Sequence, residues 1–324
     1  MRLARIKGVE GAAAVYHCIS RTVGGEKLLD EACREKLSEI LMSLSAFCGL
    51  EVITYCMMPN HFHLLIRVPE RRELSDAELL GRAEEFYGKK GLLSSLAREG
   101  IEQRGKIDPH VRETLLGRMG DLSVFMKEFK QRFSRWFNRH ADRFGTLWAE
   151  RFKSVLVEDR PGALQTVASY IDLNPVRAGL VEDPKEYRHC GYAAAVGGGN
   201  GRVRRGLMGF LQGRTWSEAA AEYRTGLLLR SVESGHSRKR ALDRETIRRL
   251  LREGGRLSPG EVLRLRIRHL TDGVVLGSRE FVDGVFERYR GRFGPRRRSG
   301  ARPIRAVPLP GLMALRDLRV DTVG

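Results

Sequence analysis

The stretch from Glu51 to Val68 restricts the possible folds more than any other part of the chain, because it carries the pattern of a β-hairpin. Two runs rich in bulky apolar residues are separated by Pro59-Asn60, where proline fixes φ and asparagine tolerates turn geometry. In the second run, His61 and His63 alternate with apolar residues. Residues i and i+2 of a strand lie on the same face, about 6.6 Å apart. The pattern therefore predicts two imidazoles side by side on one face and a core on the other.

Two neighbouring imidazoles suit a divalent metal ion, because each can provide one nitrogen at about 2.1 Å. They do not complete a coordination shell, so a metal would need other ligands and could keep one position open for a substrate. A pair of histidines on a strand can equally be an ordinary polar feature. Both alternatives stay open on this feature alone.

The order of the neighbouring elements predicts the fold. Apolar periodicity predicts a strand, a helix, two strands, a long helix and a final strand: Ala14–Arg21, Leu28–Phe47 ending near Gly49, Glu51–Met57, His61–Val68, Leu122–His140, and the last part of Leu147–Val157. This order is that of a split βαβ arrangement. We therefore predict an α+β fold with a ferredoxin-like antiparallel sheet and the two histidines on a central strand.

Two further segments belong to this region, which we predict to span residues 1–196. Residues of about 70–120 have mixed charge and a capping-box pattern at Ser75-Asp76-Ala77-Glu78, which predicts a helical insertion. The sequence from Pro161 to Leu173 predicts another helix. This helix is expected to end at Asn174, because Pro175 disfavours helix at the residue before it. Tyr170 and Asn174 are four residues apart and share a face. A helical tyrosine is, on its own, more often packing than a nucleophile.

Charge distinguishes the C-terminal third of the chain. The 324 residues carry a formal charge of +18. Residues 1–200 contain 30 basic and 27 acidic side chains, whereas residues 201–324 contain 28 and 13. This excess predicts attraction to a polyanion, most simply nucleic acid. A solvated basic tail is the alternative.

The C-terminal third is predicted to be helical. After a linker at Gly197–Gly201, two short helices are expected in Gly206–Leu229, followed by three more at Asp243–Glu253, Ser258–His269 and Ser278–Arg290. We interpret residues 202–294 as a basic region with the character of a helix-turn-helix, in which Arg264, Arg268 and Arg279 contact DNA and the last helix recognises it. The alternative is a helical cap on the first domain. Residues 295–324 are expected to be a flexible basic tail.

The five cysteines are scattered and contain no C-x-x-C, so neither disulfides nor a zinc ribbon is expected. No signal-like or membrane-spanning apolar run is present in the sequence. Both observations favour a cytoplasmic protein, and they leave open a monomer or a homodimer.

Two motifs together resemble a known family. Met58-Pro59-Asn60-His61-Phe62-His63-Leu64-Leu65 and Tyr170-Ile171-Asp172-Leu173-Asn174-Pro175-Val176-Arg177-Ala178-Gly179 are similar to those of the single-tyrosine HUH transposases, specifically the REP-associated tyrosine transposases. The resemblance covers about residues 10–190. It implies His61, His63 and Asn174 as ligands of Mg²⁺ or Mn²⁺, and Tyr170 as the nucleophile. Arg151, Lys153 and Arg177 lie in segments that resemble the family, and we expect them to contact DNA.

The implied activity is metal-dependent cleavage and rejoining of single-stranded DNA, at sequences that contain a hairpin, through a 5′-phosphotyrosine. The main alternative is a DNA-binding protein that keeps the fold without the chemistry. A hydrolase of the histidine-triad type is disfavoured, because Leu65 stands where a third histidine is needed. An RNA-binding ferredoxin-like domain would need exposed aromatic residues on the face that the histidines occupy.

Overall fold

The computed structural model describes residues 5–198, 201–211, 213, 215–232, 273–304 and 311–316. In this part of the chain the strands are β1 Ala14–Arg21, β2 Glu51–Met58, β3 His61–Val68, β4 Lys153–Val157, β5 Val275–Gly277, β6 Arg302–Pro303 and β7 Met313–Leu315. The helices are α1 Glu31–Cys48, α2 Asp76–Tyr87, α3 Leu92–Arg104, α4 Pro109–Leu116, α5 Leu122–His140, α6 Pro161–Asp172, α7 Asn174–Arg177, α8 Gly191–Val196, α9 Gly201–Met208, α10 Trp216–Val232 and α11 Arg279–Arg288.

The strands form one mixed sheet in the order β2-β3-β1-β4-β5-β7-β6. Its first four strands are antiparallel and have the order that a ferredoxin-like unit requires. The predicted α+β fold is therefore confirmed. β3 lies between β1 and β2, which places the two histidines on a central strand, as the order of elements predicts.

Each face of this unit is covered by different helices. Phe62 of β3 packs on one face against Phe129 of α5 and Trp148, with ring centroids 5.3 Å apart in both pairs. α1 packs against α5 and β2. Asp30 caps the N-terminus of α1, and Gly49 ends the helix with a φ of 70°. The other face, which carries the histidines, is covered by α6, which packs against β2 and β3.

The predicted helical insertion consists of α2, α3 and α4. Ser75 and Glu78 form the predicted capping box of α2. The insertion packs against α1, and Arg118 after α4 forms an ion pair with Glu128 of α5. The insertion therefore extends the helical layer of α1 and α5, on the face opposite the histidines.

The C-terminal region differs from the expected arrangement, because it also adds strands to the sheet. β5 runs parallel to β4, with Leu156 opposite Val275 and Val157 opposite Leu276. β7 pairs with β5, and β6 pairs with β7. The expected flexible tail from residue 295 onwards is therefore wrong for β6 and β7. The physical reason is that Leu312, Ala314 and Leu315 are buried on the sheet and the β7 backbone finds hydrogen-bond partners there.

The predicted helices of this region have mixed outcomes. The pair expected in Gly206–Leu229 is found as α9 and α10, and the helix expected at Ser278–Arg290 is found as α11, capped by the Ser278 side chain. α9 already begins at Gly201, inside the expected linker. The helices expected at Asp243–Glu253 and Ser258–His269 lie outside the described residues, so the helix-turn-helix interpretation and the division at residue 202 stay predictions. None of the helices in the described ranges is long and apolar enough to cross a membrane.

Candidate functional site

The two histidines of β3 form the centre of the site. Their ring centroids are 5.0 Å apart and the ring planes are nearly perpendicular. His63 is buried, whereas His61 is partly exposed. The pair therefore has one side that faces the protein and one that reaches the surface.

The turn before β3 orients the first ring. Nδ1 of His61 lies 2.6 Å from Oδ1 of Asn60. An amide oxygen can only accept a hydrogen bond, so Nδ1 of His61 donates and the lone pair is on Nε2. The Asn60 side chain is itself held, because its Nδ2 donates to the Gly25 carbonyl at 2.9 Å. The turn residue thus selects the tautomer of His61.

A third histidine, which the sequence motifs did not single out, orients the second ring. Nε2 of His17 on β1 lies 2.9 Å from Nδ1 of His63, and the two rings stack with centroids 5.1 Å apart. His17 is completely buried. This contact leaves Nε2 of His63 as the nitrogen available to a ligand. In the sequence, the only signal for His17 is its place in the alternation of the first strand.

Tyr170 reaches this group of rings from α6. Its ring centroid lies 5.8 Å from that of His63 and 6.0 Å from that of His17, in edge-to-face orientations. The structure therefore brings the predicted nucleophile together with the imidazoles of the same chain, although residues 63 and 170 are far apart in sequence.

Asn174 lies one turn beyond Tyr170, at a junction that differs from the expected one. α6 ends at Asp172, and Leu173 connects it directly to the single turn of α7. Pro175 does not stop the helix here, because it occupies the first turn of α7, where its missing N–H costs no hydrogen bond. The half-buried Asn174 begins that turn.

Arg177 at the end of α7 covers the Tyr170 ring. Its guanidinium carbon lies 3.9 Å from the ring centroid, and its Nη2 donates to the Tyr170 carbonyl at 2.5 Å. Arg177 therefore lies within the site, whereas a general phosphate contact would be expected on the open surface.

The imidazoles are neutral at physiological pH. Burial, together with the nearby charges of Arg21 and Arg177, lowers the pKa of His61 to about 4. Burial also lowers the pKa of His63 well below its usual value, with contributions from His61 and His17. Neutral imidazole is the form that binds metal ions.

The donor atoms of the site determine which kind of metal ion it fits. In the described ranges, no group of three or more His, Cys, Asp and Glu side chains is arranged to hold a metal ion. The oriented Nε2 atoms of His61 and His63 fit two positions of a shell, and the rest must come from Asn174, water or substrate oxygens. The donor set thus fits a hard divalent ion that is completed by other ligands.

Asp172 is not part of this group. It is buried, and its carboxylate accepts hydrogen bonds from Thr54 at 2.8 Å, Tyr223 at 2.6 Å and the Tyr192 backbone N–H at 3.3 Å. Burial raises its pKa to about 7. Asp172 connects α6 to β2 and α10, and so fixes the helix that carries Tyr170.

The remaining predicted DNA contacts lie at different places. Lys153 is exposed, and its position on β4 is opposite Ile19, which is in turn opposite His63. Arg151 is exposed just before β4, and Arg279 is exposed at the start of α11. Arg264 and Arg268 lie outside the described residues.

Comparisons with known proteins give the following matches. Residues 12–77 match the family described as "Transposase IS200 like". A solved structure of a REP-associated tyrosine transposase bound to a REP hairpin matches with 16% identity and a TM-score of 0.39, over 61% of this chain and 87% of that one. No curated protein matches significantly.

The family match covers β1, α1, β2 and β3, and therefore includes His17, His61 and His63 but not Tyr170. Over residues 12–77 this chain is similar to the IS200-like transposases, which confirms the predicted resemblance for the segment that carries the imidazole pair.

Proposed function

We propose that this protein cleaves and rejoins single-stranded DNA in a metal-dependent reaction through a covalent bond to Tyr170. The observation that carries the proposal is the contact between the Tyr170 ring and the ring of His63. The similarity of residues 12–77 to IS200-like transposases supports a DNA-processing enzyme. The two motifs in their order and spacing support the finer assignment.

The residues have distinct roles in this proposal. His61 and His63 provide Nε2 ligands and Asn174 an amide oxygen to Mg²⁺ or Mn²⁺, with water in the remaining positions. When held by these residues, the ion would supply Lewis-acid chemistry to the scissile phosphate. Asn60 holds His61 in the tautomer that this role requires, and for His63 the role requires Nδ1 to donate to Nε2 of His17.

Tyr170 performs the group transfer. Its oxygen attacks the phosphorus in line with the 3′ oxygen, the P–O3′ bond breaks, and the 3′ oxygen leaves as a hydroxyl after it gains a proton. The phenol proton passes to solvent. The product is a 5′-phosphotyrosine, which keeps the energy of the broken bond. A 3′-hydroxyl that attacks this linkage rejoins DNA without a nucleotide cofactor.

The substrate is single-stranded DNA next to a hairpin. Unpaired DNA suits a site in which a phosphate must reach the rings between β3 and α6. The exposed Arg151, Lys153 and Arg279 contact neighbouring phosphates, and the formal charge of +18 attracts the strand.

The test uses labelled single-stranded hairpin oligonucleotides, Mn²⁺ and a denaturing gel. We expect a covalent protein–DNA adduct with the wild type, no adduct with Tyr170→Phe, and similar DNA binding by both. Tyr87→Phe, on α2 in the helical insertion, is the matched control and should form the adduct. An adduct that persists in Tyr170→Phe would contradict the assigned nucleophile. Hairpin binding without any wild-type adduct would favour a DNA-binding protein that lacks the chemistry.

A further inference from the structure

Among the described residues, Arg177 is a half-buried cation for which no carboxylate partner is found. Its Nη2 atom donates a hydrogen bond to the Tyr170 carbonyl. Its Nη1 atom is buried without a hydrogen-bond partner in the described part of the chain. None of the ion pairs among the described residues includes Arg177. Burying an unpaired charge is costly, and an anion that binds beside Nη1 would offset this cost.

The groups around the guanidinium do not offset its charge. Its electrostatic neighbours are the phenol of Tyr170 and the thiol of Cys56. Burial raises the pKa of Cys56 well above its usual value, so this thiol is neutral. The Asp172 carboxylate forms no ion pair with Arg177, and its two oxygens accept hydrogen bonds from Thr54 and Tyr223. A guanidinium stays protonated in proteins, so Arg177 is a permanent positive charge.

This charge acts on the two imidazoles. The Arg177 guanidinium carbon lies 3.9 Å from the Tyr170 ring centroid, which lies 5.8 Å from that of His63, and Arg21 is opposite His61 in the pairing of β1 with β3. Neutral ligands beside fixed positive charge form a poor site for a divalent cation on its own, since dedicated sites for hard cations contain carboxylates.

We propose that Arg177 makes metal uptake depend on DNA, so that the site binds Mg²⁺ or Mn²⁺ tightly only together with a phosphodiester. The inference rests on the proposed function and adds an order of assembly to it. The phosphate offsets the guanidinium charge and offers oxygen ligands to the metal. Because such coupling is reciprocal, the metal tightens DNA binding by the same factor.

The experiment measures binding by the full chain carrying Tyr170→Phe, which prevents cleavage. Free Mn²⁺ is followed by electron paramagnetic resonance, with and without a single-stranded oligonucleotide, and uptake by the oligonucleotide alone is subtracted. We expect DNA to tighten Mn²⁺ binding by roughly tenfold or more. Adding Arg177→Met should strengthen Mn²⁺ binding without DNA by several-fold and reduce the effect of DNA to less than about threefold.

Two further variants serve as controls. Arg177→Lys keeps a positive charge and should keep most of the coupling, with far-UV circular dichroism to compare folding. Arg104→Met removes the same charge from the exposed end of α3 and should behave like the parent protein.

Three results would overturn the inference. Equal Mn²⁺ affinity with and without DNA, in a protein whose wild type still forms the adduct, would refute the coupling and leave the proposed function intact. Unchanged coupling in Arg177→Met would refute the role of Arg177. Absence of Mn²⁺ binding under both conditions, together with absence of an adduct, would refute the proposed function as well.

Discussion

At the residue scale, the site depends on side chains that orient other side chains. His61 and His63 can present Nε2 outward because Asn60 and His17 contact their Nδ1 atoms. Hydrogen bonds of this kind to a ligating histidine commonly change metal affinity by about 10- to 100-fold when they are removed. A substitution of His17 is therefore expected to change metal affinity, although His17 is not itself a proposed ligand.

We predict that His17→Phe weakens Mn²⁺ binding, measured in the presence of DNA, by about 10- to 100-fold. Phenylalanine keeps an aromatic ring in the buried position but lacks the nitrogen that contacts His63. His110→Phe changes an exposed histidine at the start of α4 and serves as the control. Equal affinities for the two variants would show that His17 only fills space.

A second prediction concerns the pH dependence of the protein's stability and depends on His189. His189 is 5% exposed, and burial together with Arg34 and Arg188 lowers its pKa to about 4. In the unfolded chain a histidine has a pKa of about 6.5. The folded state therefore favours neutral His189, and the corresponding stability is present above about pH 6.5 and is lost as the pH falls towards 4.

We therefore expect His189→Gln to lose less stability than the wild type between about pH 7 and pH 4.5, by about 1–3 kcal/mol in urea unfolding. Other titrating groups contribute equally to both proteins and cancel in this difference. His110→Gln should follow the wild type, because that side chain is exposed. Parallel pH profiles for wild type and His189→Gln would contradict the assigned pKa.

A residue of the site could be predicted from the sequence only where its position does not depend on the register between neighbouring strands. The alternation in His61–Val68 places His61 and His63 on one face without any knowledge of neighbouring strands. The contact between His17 and His63 depends on the pairing of β1 with β3, in which Ile19 is opposite His63. A single sequence does not encode that register, so His17 could not be assigned.

At the element scale, the tyrosine helix is held in place by close contacts. Asp172 joins α6 to Thr54 of β2 and to Tyr223 of α10. α9 approaches β2 so closely that a Cβ on Gly206 would lie 2.5 Å from the Val52 carbonyl and 2.7 Å from the Ile53 Cα. The helices of the later chain thus form part of the support for the site.

We predict that Gly206→Ala destabilises the protein by about 1–3 kcal/mol, because backbone atoms of β2 cannot move aside as a flexible side chain can. Gly284→Ala, in α11, is the matched control, since no atom of the described residues lies within 4 Å of the position that its methyl group would take, and alanine favours helix. Urea unfolding should show a loss for the first variant and no loss for the second. Similar unfolding midpoints would mean that α9 can shift away from β2 at little cost.

The elements that could be predicted are long and strongly periodic. Ala14–Arg21, His61–Val68 and Leu122–His140 have the expected bounds, because their apolar residues follow one period throughout. β5, β6 and β7 contain two or three residues each and stand among glycines, prolines and arginines. Periodicity cannot be detected over so few residues, and their strand character comes from the sheet they join.

At the scale of the whole molecule, described segments from the early and the late part of the chain meet at the central sheet. β5 pairs with β4, and α11 packs on β5 and β7. The Tyr289 hydroxyl accepts from the Lys7 N–H at 3.2 Å and donates to the Lys7 carbonyl at 3.1 Å. The C-terminal strands therefore cover the edge of β4 and contact the segment before β1.

We predict that a chain ending at residue 272 is less stable and less soluble than the full chain. Removing β5 leaves the edge of β4 unpaired, and such an edge promotes association with other strands. It also exposes core around Val155 and Val157, which are buried in the complete protein. Thermal unfolding and light scattering, compared with those of the full chain, would measure both effects. If the shortened chain stayed monomeric and equally stable, residues 273–324 would have to be separable from the preceding part of the chain, and the continuous sheet would contribute little to its folding.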